Sequence, residues 1–108
     1  MDSLPLVSVY IPTHNRCVLL KRAVQSVFNQ SYKNIELLIV DDASSDDTQG
    51  FLKNLTHNSI NIKVFRQNTA QGACVARNTA LKLATGEFVT GLDDDDEFLP
   101  QRISNLIE

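Results

Sequence analysis

Five acids stand side by side near the end of the chain in the stretch Gly91-Leu92-Asp93-Asp94-Asp95-Asp96-Glu97, which directly follows the short apolar and β-branched segment at 87–90. In a chain of 108 residues with a formal net charge of -3, such a run is either solvated or neutralised by a cation, because packed carboxylates repel one another when buried alone. Hard divalent ions take oxygen ligands, and Mg²⁺ typically sits on one or two carboxylates together with the phosphates of a substrate. A solvated acidic loop is the commoner fate of an isolated acidic run, so its place in the fold has to decide. Other chemistries fail on spacing. An EF-hand loop opening at Asp93 would have Phe98 where the sharp turn requires Gly and Ser104 where the closing Glu belongs. The chain has only four glycines, with no GxGxxG in the first turn, no GxxxxGK[ST] and no nucleophile elbow. Cys17 and Cys74 lack CxxC spacing and read as small apolar packers.

The elements that must position the acids follow from periodicity. Leu6-Val7-Ser8-Val9-Tyr10-Ile11 alternates and predicts a first strand that stops at Pro12. Thr13-His14-Asn15-Arg16 is a polar loop, with Asn15 the expected N-cap of a helix whose Leu20, Val24, Val27 and Phe28 share one face. Ile35-Glu36-Leu37-Leu38-Ile39-Val40 is almost continuously apolar, as a central strand covered on both faces should be, and it ends in Asp41-Asp42. Turn and N-cap residues at 43–48 lead to a modest helix through Phe51, Leu52 and Leu55. Ile62-Lys63-Val64-Phe65 predicts a third strand nearer an edge. After the polar loop 67–72, Ala73, Ala76, Ala80, Leu83 and Ala84 keep helical spacing, with Gly86 as an expected left-handed C-cap. A fourth strand at 88–92 leads into the acids. Pro100 then stands where a first helical residue belongs, before the apolar stripe of Ile103, Leu106 and Ile107 that is cut at Glu108.

Four alternations of strand and helix predict one α/β domain over residues 1–108: a mostly parallel sheet with helices on both faces. In such sheets ligands bind beyond the carboxyl ends of the strands, where strand order reverses. Every polar cluster of this chain follows a strand, so all should share one rim. If strand one is central, with strands two and four beside it, the Pro12 loop and the acidic run flank the crevice. Composition bounds the rest. No basic cluster points to nucleic acid, and no apolar run approaches the roughly 20 residues of a membrane span. The start lacks the pattern of a signal peptide, so the default compartment is the cytoplasm, with attachment to the inner face of a membrane left open, and the sequons at Asn29 and Asn54 carry little weight.

Five segments in order then resemble a known family: residues 7–16, residues 25–32, residues 36–44, Ala76-Arg77-Asn78, and Gly86-Glu87-Phe88 through Asp96 with Pro100. Together they are similar to the family 2 glycosyltransferases of the GT-A fold, whose nucleotide-binding half is Rossmann-like, and the resemblance covers nearly the whole chain. It implies that Pro12, Thr13, His14, Asn15, Arg16 and Asp42 hold the nucleotide base and ribose, with Asp42 accepting a hydrogen bond from the base. Asp41 would either share that role or brace the loop. Asp93 and Asp95 match the DxD acids; Asp95 would contact a Mn²⁺ or Mg²⁺, with Asp93 or Asp94 reaching the ribose or a water on the metal. Four consecutive aspartates leave that register ambiguous by one, and the spacing to Pro100 selects it. Gly72 and Arg77 match the segment before the DxD, and Arg77 would reach the diphosphate or form a surface ion pair. Ala43 departs from the Gly that many members carry there, which is tolerated if its φ is negative. His57 carries no signal.

The implied reaction is inverting transfer of a sugar from a nucleoside diphosphate, UDP by expectation, to a hydroxyl of an unknown glycan, lipid or protein acceptor. A metal ion would stabilise the departing diphosphate and a general base would take the acceptor proton. In the family that base is a carboxylate well downstream of the DxD, beyond Glu108. The expectation is therefore a donor-binding portion, truncated at its C-terminal end, that binds nucleotide and metal and transfers little alone. A noncatalytic nucleotide or metal-binding module is the alternative, as is a metal-dependent nucleotidyltransferase, although the latter ordinarily brings a Gly-rich basic loop after strand one. A homo-oligomer paired through the last apolar stripe is a further open expectation.

Overall fold

Val7, Val9 and Ile11 alternate with Ser8 and Tyr10, and this period of two forms β1 (Val7–Thr13) in the computed structural model, which describes residues 4–107. The chain continues through α1 (Cys17–Phe28), β2 (Ile35–Asp42), α2 (Thr48–Lys53), β3 (Asn61–Gln67), α3 (Ala73–Leu83), β4 (Phe88–Gly91) and α4 (Arg102–Leu106). Every strand pair is parallel, in the order β3-β2-β1-β4. The expected α/β architecture is thus the observed one, with β1 between β2 and β4 and β3 at an edge. Because the order runs outward from β1 in both directions, the sheet opens a crevice at the C-terminal ends of β1 and β4. Residues 1–3, weighed as part of a leader, and Glu108, where the last stripe is cut, lie outside the described residues.

The two faces of the sheet are covered differently. Val7, Val9, Ile11, Ile35, Leu37 and Ile39 pack against Leu20, Val24 and Val27 of α1, Leu52 of α2 and Ile103 of α4. On the other face Val40 and Tyr10 meet Ala76 and Ala80 of α3, whose small side chains admit the helix close to the sheet. No described helix is long and apolar enough to cross a membrane. β2 is buried at every position, including Glu36, which the sequence shows only as one acid in an apolar run. Glu36 Oε2 accepts from Ser8 Oγ at 2.6 Å and Thr85 N at 2.9 Å, and Oε1 from Lys63 Nζ at 2.6 Å and Thr85 Oγ1 at 2.8 Å. Ser8 Oγ in turn accepts from Gly86 N at 2.9 Å. One carboxylate therefore ties β1, β2, β3 and the entry to β4 at the end of the sheet opposite the crevice.

Several local expectations are corrected. β1 does not stop at Pro12 but pairs with β2 through Thr13↔Asp41. Leu6 O and Tyr10 O accept from β4 and its flanks, at Glu87 N and Leu92 N. Pro12 is next in that alternation, beyond the last β4 pair at Tyr10↔Gly91, so its missing N–H leaves no ladder bond unmade. Asn15 is not the N-cap of α1; Arg16 holds that position, and Cys17 N donates to Asp46 Oδ2 at 3.2 Å from the neighbouring loop. Gly86 is not left-handed, the only glycine with positive φ among the described residues being Gly72. A Cβ at Gly86 would stand 2.7 Å from Ser8 N and 2.8 Å from Leu6 O, so strand approach, not helix capping, demands glycine there. α2 ends at Lys53, before Leu55, and α4 begins at Arg102, two residues after Pro100.

Ala43 adopts φ 57, where the sequence expectation required a negative value. The left-handed region crowds a Cβ against its carbonyl and costs an alanine about 1–2 kcal/mol relative to glycine, partly offset by the unfolded-state freedom that glycine adds. Ala43→Gly is therefore expected to raise stability by roughly 0.5–1 kcal/mol, about 2–4 °C in Tm. Thermal unfolding followed by circular dichroism checks this, and a lower Tm would show that the turn carries no strain.

Candidate functional site

The loops after β1 and β2 are joined before they meet any ligand. Asn15 turns left-handed at φ 53, a conformation asparagine tolerates better than most residues. Its N–H donates to Ser44 Oγ at 2.9 Å, and its Oδ1 accepts from Ser45 N at 2.6 Å and Asp46 N at 3.3 Å. Asn15 thus locks the two loops together. Asp41 braces the same turn: Oδ1 accepts from Ser44 N at 3.0 Å and Oδ2 from Arg66 Nη1 at 2.7 Å, while Arg66 Nη2 reaches Ser44 O at 3.2 Å. Of the two roles open to Asp41, loop bracing is the one its contacts fill.

Asp42 faces the crevice and ties β2 to the loop before α3. Its Oδ1 accepts from Gln67 Nε2 at 2.6 Å and Gln71 N at 2.8 Å, and its Oδ2 from Gly72 N at 2.9 Å. Burial pushes its pKa up, but these hydrogen bonds and the nearby His14 outweigh burial and hold it below the usual carboxylate range. A carboxylate offers about four acceptor sites, so one on Oδ2 remains for a further donor. His14 Nδ1–H donates to the Asp42 carbonyl, and its Nε2 lies 3.3 Å from Asn15 Nδ2. Gln67, Gln71 and Gly72 belong to a polar loop visible in the sequence, but their grip on Asp42 is a tertiary fact with no local signal.

Beyond β4 the acids separate by role. Asp94 turns inward, where Oδ2 accepts from Thr13 Oγ1 at 2.9 Å and Oδ1 from Arg16 Nη1 at 3.3 Å. Asp96 N donates to Asp93 O at 3.0 Å, closing a turn that gathers the neighbouring side chains. Asp93, Asp95 and Asp96, all exposed, each offer a carboxylate oxygen within 4.8 Å of the others. Oxygens on opposite sides of a bound divalent ion lie roughly 4–5 Å apart, so these three fit a hard cation without large movement. Asp96 is the member of this group that the DxD spacing alone did not select. Arg16 Nη1 also reaches Asp95 Oδ2 at 3.2 Å, and Arg22 Nη2 reaches Glu97 Oε2 at 3.2 Å.

A cleft of about 290 Å³ lies between these loops, lined by Pro12, Thr13, His14, Arg16, Asp42, Asp93, Asp94 and Asp95 together with Ala73 and Ala76 of α3. The structure therefore gathers most of the sequence-selected residues on one wall. Asn15 stands behind that wall as a brace. Arg77, one turn further along α3, neither lines the cleft nor pairs with a carboxylate among the described residues. A wider hollow of about 830 Å³ opens on the other side of the acids, from Gly91 and Asp93 to Asn105 and Leu106.

The profile described as "Glycosyl transferase family 2" matches residues 8–108. The chain is 46% identical over 106 residues to the GalNAc(5)-diNAcBac-PP-undecaprenol beta-1,3-glucosyltransferase of Campylobacter jejuni, covering 97% of this chain and 34% of that protein. Among solved structures it resembles S. aureus TarS 1-349 in complex with UDP-GlcNAc, at TM-score 0.86 and 32% identity over 94% of this chain and 30% of that one. It is also similar to the mannosyltransferase PcManGT from Pyrobaculum calidifontis in complex with GDP-Man and Mn²⁺, at TM-score 0.83 and 31% identity over 95% of this chain and 31% of that one. The chain spans about a third of the length of the curated relatives it matches.

Proposed function

The chain belongs to glycosyl transferase family 2, and we propose that it forms the part of such an enzyme that binds a nucleoside diphosphate sugar together with Mn²⁺ or Mg²⁺. The observation that carries this reading is the convergence, at the crevice of a parallel sheet, of the Pro12 loop, Asp42 and an acidic group able to hold a cation. These segments are separated by whole helices in the sequence, and the parallel strand order β3-β2-β1-β4 brings them to one rim. The cleft stands at the small end of ligand pockets, suited to a nucleotide and not to a long glycan.

Each residue then has a task. Asp42, fixed by three donors and ionised, offers its remaining acceptor site to a base N–H. His14, held by its Nδ1–H bond to the Asp42 carbonyl, would stand as a ring beside the base. Asp93 and Asp95, with Asp96, would hold the divalent ion, which supplies Lewis-acid stabilisation of the leaving diphosphate. Asp94 fixes Thr13 and Arg16 relative to that group and keeps the rim in register. Arg16 lines the cleft and provides a forked donor suited to phosphate oxygens. The likeness to a UDP-GlcNAc complex supports UDP as the carrier. We place the general base for inverting transfer outside these 108 residues and expect the isolated chain to bind donor but transfer little. The name of the Campylobacter relative supports a lipid-linked acceptor, and with it a working position at a membrane surface.

Calorimetric titration of UDP, GDP and CDP, each with and without Mn²⁺, tests the reading. Binding of UDP in about the micromolar range, at least tenfold weaker without Mn²⁺ and weaker for the other bases, is the expected result. A folded chain that binds none of the three would overturn it.

A further inference from the structure

We propose that Arg16 is a tethered counter-ion which holds the metal-binding edge of the acidic run and releases it only when a diphosphate draws the guanidinium away, so that divalent metal and diphosphate bind as a coupled pair. The inference rests on the donor-site reading above and names the residue that regulates that site. Its basis is where one guanidinium nitrogen stands. Arg16 Nη1 lies 3.2 Å from Asp95 Oδ2, on a member of the cation-fitting group, and 3.3 Å from Asp94 Oδ1, which is not in that group. A divalent ion held by Asp93, Asp95 and Asp96 would meet a full positive charge a few ångströms away, and the two cations would repel.

The surroundings make the side chain movable while its root stays fixed. Arg16 is the residue preceding α1; its carbonyl accepts from Leu20 N at 2.8 Å, and the adjoining Cys17 N is held by Asp46. The side chain itself is half exposed, as is that of Asp95. Ion pairs of that exposure are weak and readily exchanged. Arg16 is also the sole Arg or Lys among the described residues lining the cleft, which His14 lines as well, and it is in reach of whatever phosphate enters beside Pro12 and Asp42. Free UDP brings more negative charge than one divalent ion cancels, and a planar fork of N–H donors matches the oxygens of any diphosphate. Moving Arg16 from Asp95 to the diphosphate therefore removes the repulsion at the metal and adds an attraction at the phosphate in one rotation of the side chain.

The experiment measures Mn²⁺ affinity by electron paramagnetic resonance at low salt, with and without UDP, for the wild type, Arg16→Gln and Arg22→Gln. Arg22 pairs with Glu97 of the same run, so its loss removes an equal charge without freeing Asp95. Arg16→Gln is expected to bind Mn²⁺ alone about tenfold tighter, and Arg22→Gln to change by less than about twofold. In the wild type UDP should tighten Mn²⁺ strongly, and in Arg16→Gln that enhancement should fall by about tenfold. Should Arg16→Gln fail to fold, Arg16→Met, which keeps the length of the side chain and removes its charge, is expected to tighten Mn²⁺ alone by about the same tenfold. Equal tightening by Arg16→Gln and Arg22→Gln overturns the proposal, since a general field effect would then explain it. UDP and Mn²⁺ binding by the wild type, with Mn²⁺ affinity unchanged in the Arg16 variants, overturns the role of Arg16 and leaves the donor site standing. Failure of UDP to affect Mn²⁺ binding in the wild type overturns both.

Discussion

Asp95→Asn is expected to abolish metal-dependent diphosphate binding, lowering affinity by about a hundredfold or more while the chain stays folded. Asparagine keeps the shape of the side chain and one carbonyl oxygen but withdraws the charge that a hard cation seeks. Because Asp95 is exposed and its contact with Arg16 is a half-exposed ion pair, the fold loses little by the change. Asp94→Asn should show the opposite signature. Asp94 is nearly enclosed and holds Thr13 and Arg16, so the rim and not the metal group suffers, with a loss of roughly 1–2 kcal/mol in stability. Calorimetry with UDP and Mn²⁺, paired with thermal melts of both variants, separates the two. Loss of metal dependence in Asp94→Asn but not in Asp95→Asn would move the metal-binding register by one residue and refute the assignment.

The second large effect concerns a residue far from the cleft. Glu36→Gln is expected to destabilise the domain by about 3 kcal/mol at pH 7, roughly 12 °C in Tm. Burial by itself raises the pKa of Glu36, but the hydrogen bonds from Lys63, Ser8 and Thr85 outweigh it and bring the value from 4.5 down to about 2. That depression corresponds to about 3 kcal/mol of preference for the charged form in the folded chain. Glutamine fills the space but offers one acceptor oxygen, and turns an N–H₂ group toward donors that need acceptors. The sign of the pH dependence follows. Since the folded value lies below the unfolded one, the stabilisation is fully present above about pH 4.5 and is lost as pH falls toward 2. Asp42, also depressed, adds to the same acid sensitivity. Urea unfolding of wild type and variant from pH 7 to 3 should show the gap closing below pH 4.5. A gap of under about 1 kcal/mol at pH 7, or one that stays constant down to pH 3, would sink this account.

Much of the site was legible because its signals are local in kind even where its assembly is not. Carboxylates in a run, a proline-ended polar loop and an acid pair each follow a strand, and parallel strands deliver their ends to one rim. Asp96 joined the metal-fitting group because a turn, and not a spacing rule, brings it beside Asp93. Arg77, whose match to a family segment left a diphosphate or a surface ion pair as its expected partner, does not line the cleft, to which the rotation of α3 gives Ala73 and Ala76. Asn15 looked like a helix cap because asparagine before an apolar stripe usually is one. Its side chain found better partners in the loop from Ser44 to Asp46, and the cap of α1 came from Asp46.

What the sequence determined by itself is what depends on neighbours along the chain: alternation gives the strands, helical spacing gives the helices, and their four-fold alternation dictates a parallel sheet whose ligands gather at one rim. Tertiary structure alone decided how polar groups distant in sequence were satisfied. Glu36 could remain in the middle of an apolar strand only because Ser8, Lys63 and Thr85 arrive from three other segments to supply every hydrogen bond its carboxylate can accept. Asp42 likewise became a fixed acceptor because the turn before α3 donates its backbone N–H groups from about 30 residues away. The physical reason is the same in both cases. Hydrophobic pattern is read from single residues and their period, whereas the partner of a buried charge is a matter of geometry that no local pattern encodes.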